Sequence, residues 1–109
     1  MQRINGTNIT FTKGDTLKAT VTMTKPDGSV YTPQAGDVIR FAMKKEYTDS
    51  SPSVVKIIPN DTLLLKLDPE DTKGLPARKY VYDIQLTYAN GDVDTFIDRA
   101  SLTLTEEVD

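Results

Sequence analysis

Three carboxylates crowd the stretch Asp68-Pro-Glu-Asp71, with Gly74 just behind them, which is how a cation-binding loop begins. Asp68 and Glu70 match the first two ligand positions of an EF-hand. However, Thr72 falls where the third ligand belongs, Lys73 where the turn glycine belongs, and Lys79 where the bidentate glutamate belongs. A corner explains every residue instead. Asp68 is predicted to cap a short helical turn that Pro69 opens, Gly74 ends and Leu75 pins to the core, before Pro76 restarts extended chain. No metal is assigned. Asp83 and Asp94 form a second candidate pair, of the kind that could serve glycoside hydrolysis or hold a raised pKa; the simpler reading is a solvated outer face. Histidine and cysteine are absent, which removes the usual general base, the Ser-His and Cys-His nucleophile pairs and the common zinc sites. The glycines at positions 14, 28, 36, 74 and 91 sit singly at turns, so no phosphate-cradling loop is present. The expectation is a protein with no cofactor and no catalytic residue.

What remains is binding. Tyr31 and Tyr47 fall in predicted loops and are candidate interface anchors. Arg40 and Lys44 share the polar side of one predicted strand, with Lys18 and Lys56 expected nearby, and could meet an acidic neighbour. For the two tyrosines and for the basic face, an ordinary solvated surface is the simpler reading. A saccharide-binding platform usually needs flat exposed aromatics; tryptophan is absent and most tyrosines are predicted to face the core. Thirteen basic and 16 acidic residues are interspersed, for a net charge of −3, which gives no reason to expect nucleic acid. No run of about 18 apolar residues could cross a membrane. The sequons at Asn5, Asn8 and Asn60 and the terminal Glu-Glu-Val-Asp are read as coincidences of composition.

The elements that must position these residues show period two. Leu17, Ala19, Val21 and Met23 alternate with Lys18, Thr20, Thr22 and Thr24; Ile39, Phe41 and Met43 alternate with Val38, Arg40, Ala42 and Lys44. Further strands are expected at 29–32, over Ser-Val-Val-Lys-Ile-Ile at 53–58, and over Leu63, Leu65 and Leu67. After the corner, Tyr80, Tyr82, Ile84, Leu86 and Tyr88 share a face, and Leu102 and Leu104 close the chain. Lys25-Pro-Asp-Gly28 is a turn. Asn90-Gly91 predicts a two-residue type I′ hairpin that sets Tyr88 opposite Val93, Leu86 opposite Thr95 and Ile84 opposite Ile97. The pattern predicts an all-β, immunoglobulin-like antiparallel β-sandwich of seven to eight strands, as one domain over residues 1–109.

Taken together, "FTKGDTLKATVTM", "DGSVYTPQAGDVIRFAMKK", "LKLDPEDTKGLPARKYVYDIQLTYANGDVDTFI" and "SLTLTEEV" resemble small β-sandwich proteins of phages and prophages of Gram-positive bacteria. The nearest named family is the N-terminal domain of phage baseplate upper proteins, and the likeness covers nearly the full length. It implies a virion structural or assembly protein (tail, baseplate or fibre) that docks other virion proteins and could form a homo-oligomer. No signal-peptide pattern is seen at the N-terminus, so the expected place is the virion or the bacterial host cytoplasm. A carbohydrate-binding or cell-surface adhesion module is the alternative.

Overall fold

The computed structural model describes residues 2–5, 7–25 and 27–106. Pro26 and the last three residues of the terminal tail lie outside them, as does Gly6 of the first sequon. The strands are β1 (Gln2–Asn5), β2 (Asn8–Thr12), β3 (Leu17–Thr20), β4 (Val38–Lys44), β5 (Val54–Ile58), β6 (Leu64–Leu67), β7 (Lys79–Thr87) and β8 (Val93–Thr105), with one helix, α1 (Pro69–Lys73). The protein is all-β, as the alternation predicts. Six strands form one sheet in the order β1-β2-β8-β7-β4-β5, and β3 and β6 form a second. Their inward side chains meet in one core: Leu17, Leu65 and Leu67 from the small sheet; Phe11, Ile39, Phe41, Tyr80, Ile84, Leu86 and Leu102 from the large one.

The sheet is not wholly antiparallel. β2 lies parallel to β8, with Ile9 beside Leu102 and Phe11 beside Leu104. A parallel neighbour needs a long return path, and here nearly the whole chain supplies it. Neither β1 nor β2 was expected from the sequence, whereas the stretch 29–32 makes only the isolated bridge between Thr24 and Val30. The two C-terminal strands expected around Val93–Ile97 and Leu102–Leu104 are one long β8.

The acidic stretch is the expected corner. Asp68 is the N-cap of α1, Pro69 sits in its first turn, and the Asp71 carboxylate accepts the Asp68 N–H at 2.7 Å. The corner carries the chain from β6 in one sheet to β7 in the other. The Thr72 hydroxyl, fully buried, accepts the Gly14 N–H at 2.9 Å and ties the helix to the turn before β3. Tyr80, the second residue of β7, donates its hydroxyl back to the Pro76 carbonyl at 2.7 Å.

The β7–β8 hairpin corrects the predicted register. Gly91 N–H donates to the Tyr88 carbonyl at 2.9 Å, and Tyr88 N–H to the Asp92 carbonyl at 2.8 Å. Gly91 has φ +96, and Asn90 is not among the positive-φ residues. The loop is therefore a type I turn closed by a glycine bulge, not a two-residue type I′ turn. The Asn90 side chain favours this outcome by accepting the Asp92 N–H at 2.9 Å, an Asx turn. The longer loop sets Leu86 opposite Asp94 and Thr87 opposite Val93. β8 then takes up an extra residue at Phe96, which restores Ile84 opposite Ile97, and another at Asp98–Arg99, after which Tyr82 faces Ala100. Arg99 has φ +54 at the second bulge. Lys25 N–H donates to the Ser29 carbonyl at 2.8 Å and Gly28 N–H to the Lys25 carbonyl at 2.9 Å, the same bonds as at the β7–β8 loop, and Gly28 has φ +91.

Candidate functional site

The outer face of the large sheet carries most of the residues singled out from the sequence. Arg40 and Lys44 point away from the core on β4, which buries Ile39, Phe41 and Met43 on its other side. Cross-strand pairing puts Gln85 beside Arg40, Asp83 beside Ala42 and Val81 beside Lys44. Ala42 is buried although it lies on the outer face, because longer side chains surround it. A methyl group among them leaves a depression of about 320 Å³, with Arg40, Lys44, Asp83 and Gln85 in its wall. Tyr47, half-exposed, reaches this basin from the β4–β5 loop, and the Arg99 guanidinium stands 5.7 Å from its ring centre. The positive φ of Arg99 belongs to the β8 bulge, so the bulge aims that cation across the sheet.

Three of the four interface candidates, Arg40, Lys44 and Tyr47, thus gather at one site. Tyr31 does not join them. It is half-buried against the core near the β7–β8 turn, its hydroxyl donates to Asp37 at 2.7 Å, and its ring meets Tyr88 edge-on at 5.7 Å. That hydrogen bond, with burial second, pushes the Tyr31 hydroxyl up to about 12. Asp37 is held below the usual carboxylate range, first by the Gln34 N–H and then by Tyr31. Asp83 and Asp94 are not opposed: Asp83 pairs across to Ala42, while Asp94 faces Leu86 and accepts the Tyr88 hydroxyl at 2.8 Å. The register change at the hairpin separates them.

Lys18 and Lys56 also lie elsewhere. Lys18 is on β3 in the other sheet. Lys56 shares the inward side of β5 with Val54 and Ile58, and its ammonium reaches Asp71 at 2.8 Å and Asp68 at 3.9 Å. The hydrogen bond to Asp71 raises the Lys56 pKa. The acidic corner therefore already holds a cation, namely Lys56. Among the described residues, no group of three or more His, Cys, Asp or Glu could hold a metal.

The residues missed from the sequence are apolar. With Lys56 turned inward, Val55 and Ile57 face outward, 41% and 62% exposed, and Val38 on β4 joins them. Val55 borders Ala42 and Ile57 borders Arg40, so an apolar margin runs along the basin at the edge of the sheet. The signal was present: the Val54–Ile58 run is apolar on both faces, and a strand with only one covered face must then expose half of it. No protein family, curated protein or solved structure matches the chain.

Proposed function

We propose that the chain is a structural docking module of a phage or prophage particle, acting through the β4–β5 margin of its large sheet. One observation carries this reading: β5 is an unguarded edge. Edge strands are normally protected by charges that repel a second strand. The only charge on β5 is Lys56, and it is neutralised by Asp71 and Asp68 on the inner side. The outward side chains, Val55 and Ile57, invite coverage, and β5 pairs only with β4 among the described strands. A partner strand added here would use backbone hydrogen bonds for affinity, and alternate side chains would select it. Arg40 and Lys44 next to this margin favour a partner that brings a carboxylate, and Asp83 offers the matching acid to a second copy.

The finer reading of the fold as an immunoglobulin-like sandwich belongs to the same proposal. The order β8-β7-β4-β5 corresponds to G-F-C-C′, and β3-β6 to B-E. The hydroxyl bond from Tyr80 to Pro76 is of the tyrosine-corner kind. The resemblance to baseplate upper proteins supplies the virion context, and chemistry by binding alone, without catalysis, goes with it.

Sedimentation velocity over a range of concentrations, together with mass spectrometry of particles purified from a producing strain, tests the reading. Expected are self-association or stoichiometric incorporation, weakened by Ile57→Lys. A chain that stays monomeric and is absent from the particles would end the proposal.

A further inference from the structure

The molecule has a second concave site, at the end of the large sheet and away from β5. It lies between two tight turns: Lys25–Ser29 on one side and Tyr88–Asp92 on the other. The cleft has a volume of about 540 Å³ and is lined by Thr24, Lys25, Asp27, Tyr88, Asp94 and Phe96, with Thr95 beside them. That size falls within the roughly 300–1,000 Å³ of small-molecule sites. Phe96 sits at the first β8 bulge. It is the extra β8 residue between the Ile84–Ile97 and Gln85–Thr95 pairs, and it stands 6.0 Å from the Tyr31 ring. Bulges of this kind re-aim side chains next to functional sites.

The acidic groups that line it are each held by a neighbour through one oxygen. Asp27 Oδ1 accepts both the Ser29 N–H, at 2.9 Å, and the Ser29 hydroxyl, at 2.6 Å, so its second oxygen is left for another donor. Asp94 Oδ2 accepts the Tyr88 hydroxyl at 2.8 Å, which leaves Oδ1 in the same position. The Lys25 ammonium sits 5.4 Å from the centre of the Tyr31 ring. Tyr31, Tyr88 and Phe96 pack partly buried against the core, and part of each stays accessible at this end of the sheet.

From this geometry we infer that the cleft binds a neutral saccharide unit, a mono- or disaccharide. Rings of Tyr88 and Phe96 offer an apolar surface to the C–H face of a pyranose. Two carboxylate oxygens accept from sugar hydroxyls, the Lys25 ammonium donates to them, and the Thr24 and Thr95 hydroxyls can do either. Two carboxylates disfavour a phosphate or another anion. A lysine already over the aromatic cluster disfavours a quaternary amine, which would compete for the same ring faces. The inference is independent of docking through β5: neither the cleft nor its lining touches Val55 or Ile57.

The test is a titration of the isotopically labelled chain, followed through its amide resonances. The probes are the methyl glycosides of glucose, galactose and N-acetylglucosamine, with lactose as the disaccharide. Expected are saturable shifts at Lys25–Ser29 and Tyr88–Phe96 with at least one probe. Asp94→Asn and Lys25→Gln, both on exposed turns or strand ends, should each weaken binding by about tenfold, equivalent to one good charged hydrogen bond, while Ile57→Lys leaves it unchanged. No saturable shift with any sugar would overturn the assignment. So would shifts at these residues that inorganic phosphate or tetramethylammonium produces and sugars do not.

Discussion

Tyr82 makes the connection between the N-terminal strands and the rest of the large sheet measurable. Its ring is buried, 4% exposed, and packs 5.2 Å from Phe41, while its hydroxyl donates to the Thr7 carbonyl just before β2. Burial pushes its pKa up to about 12 from an ordinary value of 10. The sign follows from linkage. The folded form keeps the hydroxyl neutral where the unfolded chain has already ionised, so the contribution is intact below pH 10 and is lost on the way to pH 12. Two units correspond to roughly 3 kcal/mol, with about half of it gone by about pH 11. Tyr82→Phe removes this loss and also removes the bond to Thr7, at a cost of about 1 kcal/mol at neutral pH. The two stability curves should therefore cross near pH 11, with the variant the weaker below and the stronger above. Urea unfolding followed by circular dichroism across that range reads the crossing, and absorbance of tyrosinate reads the late-ionising group directly. Parallel curves, or a Tyr82 that ionises with ordinary tyrosines, would refute the reasoning.

Gly36 has φ +92, and a Cβ there would meet the Ala89 methyl at 2.9 Å, so Gly36→Ala should lower stability by about 1–3 kcal/mol in chemical denaturation. Asp37 should give the opposite pH dependence to Tyr82. Its pKa is depressed, so its contribution holds above the unfolded carboxylate range and fades as pH falls through it; Asp37→Asn should flatten the acid limb of the stability curve. The saccharide cleft is expected to respond to Asp94→Asn and Lys25→Gln in sugar titrations, as set out above.

Alternation alone gave the class of the protein and most of its interior. Leu17, Val21, Phe41, Ile84 and Leu86 are buried where period two puts them, because a strand that covers a core has little freedom in which side it turns inward. The corner at Asp68–Gly74 was legible for a similar reason: cap, proline and glycine each act locally. What escaped depends on residues far apart in sequence. Ile9 and Phe11 belong to a strand only because Leu102 and Leu104 lie beside them in parallel. The bulges at Phe96 and Arg99 answer to the packing of β8 against β7, and no local motif announces them. Arg40 and Lys44 were readable as a pair on one strand, and Tyr47 as a loop aromatic, but their meeting with Asp83 and Arg99 is a product of the sheet. Lys56 misled in a different way: it looked like a solvent-facing charge, and only the distant Asp71 shows that it turns inward and leaves Val55 and Ile57 outside.

Docking at the β5 margin is tested most directly by comparing the wild-type chain with Ile57→Lys in sedimentation velocity, using incorporation into purified particles as the second readout. Covering the exposed parts of Val55 and Ile57 is worth roughly 2–3 kcal/mol, so a lysine at position 57 should weaken association by about tenfold to a hundredfold while thermal stability stays unchanged. Equal association or incorporation of both chains would contradict a docking role for this edge.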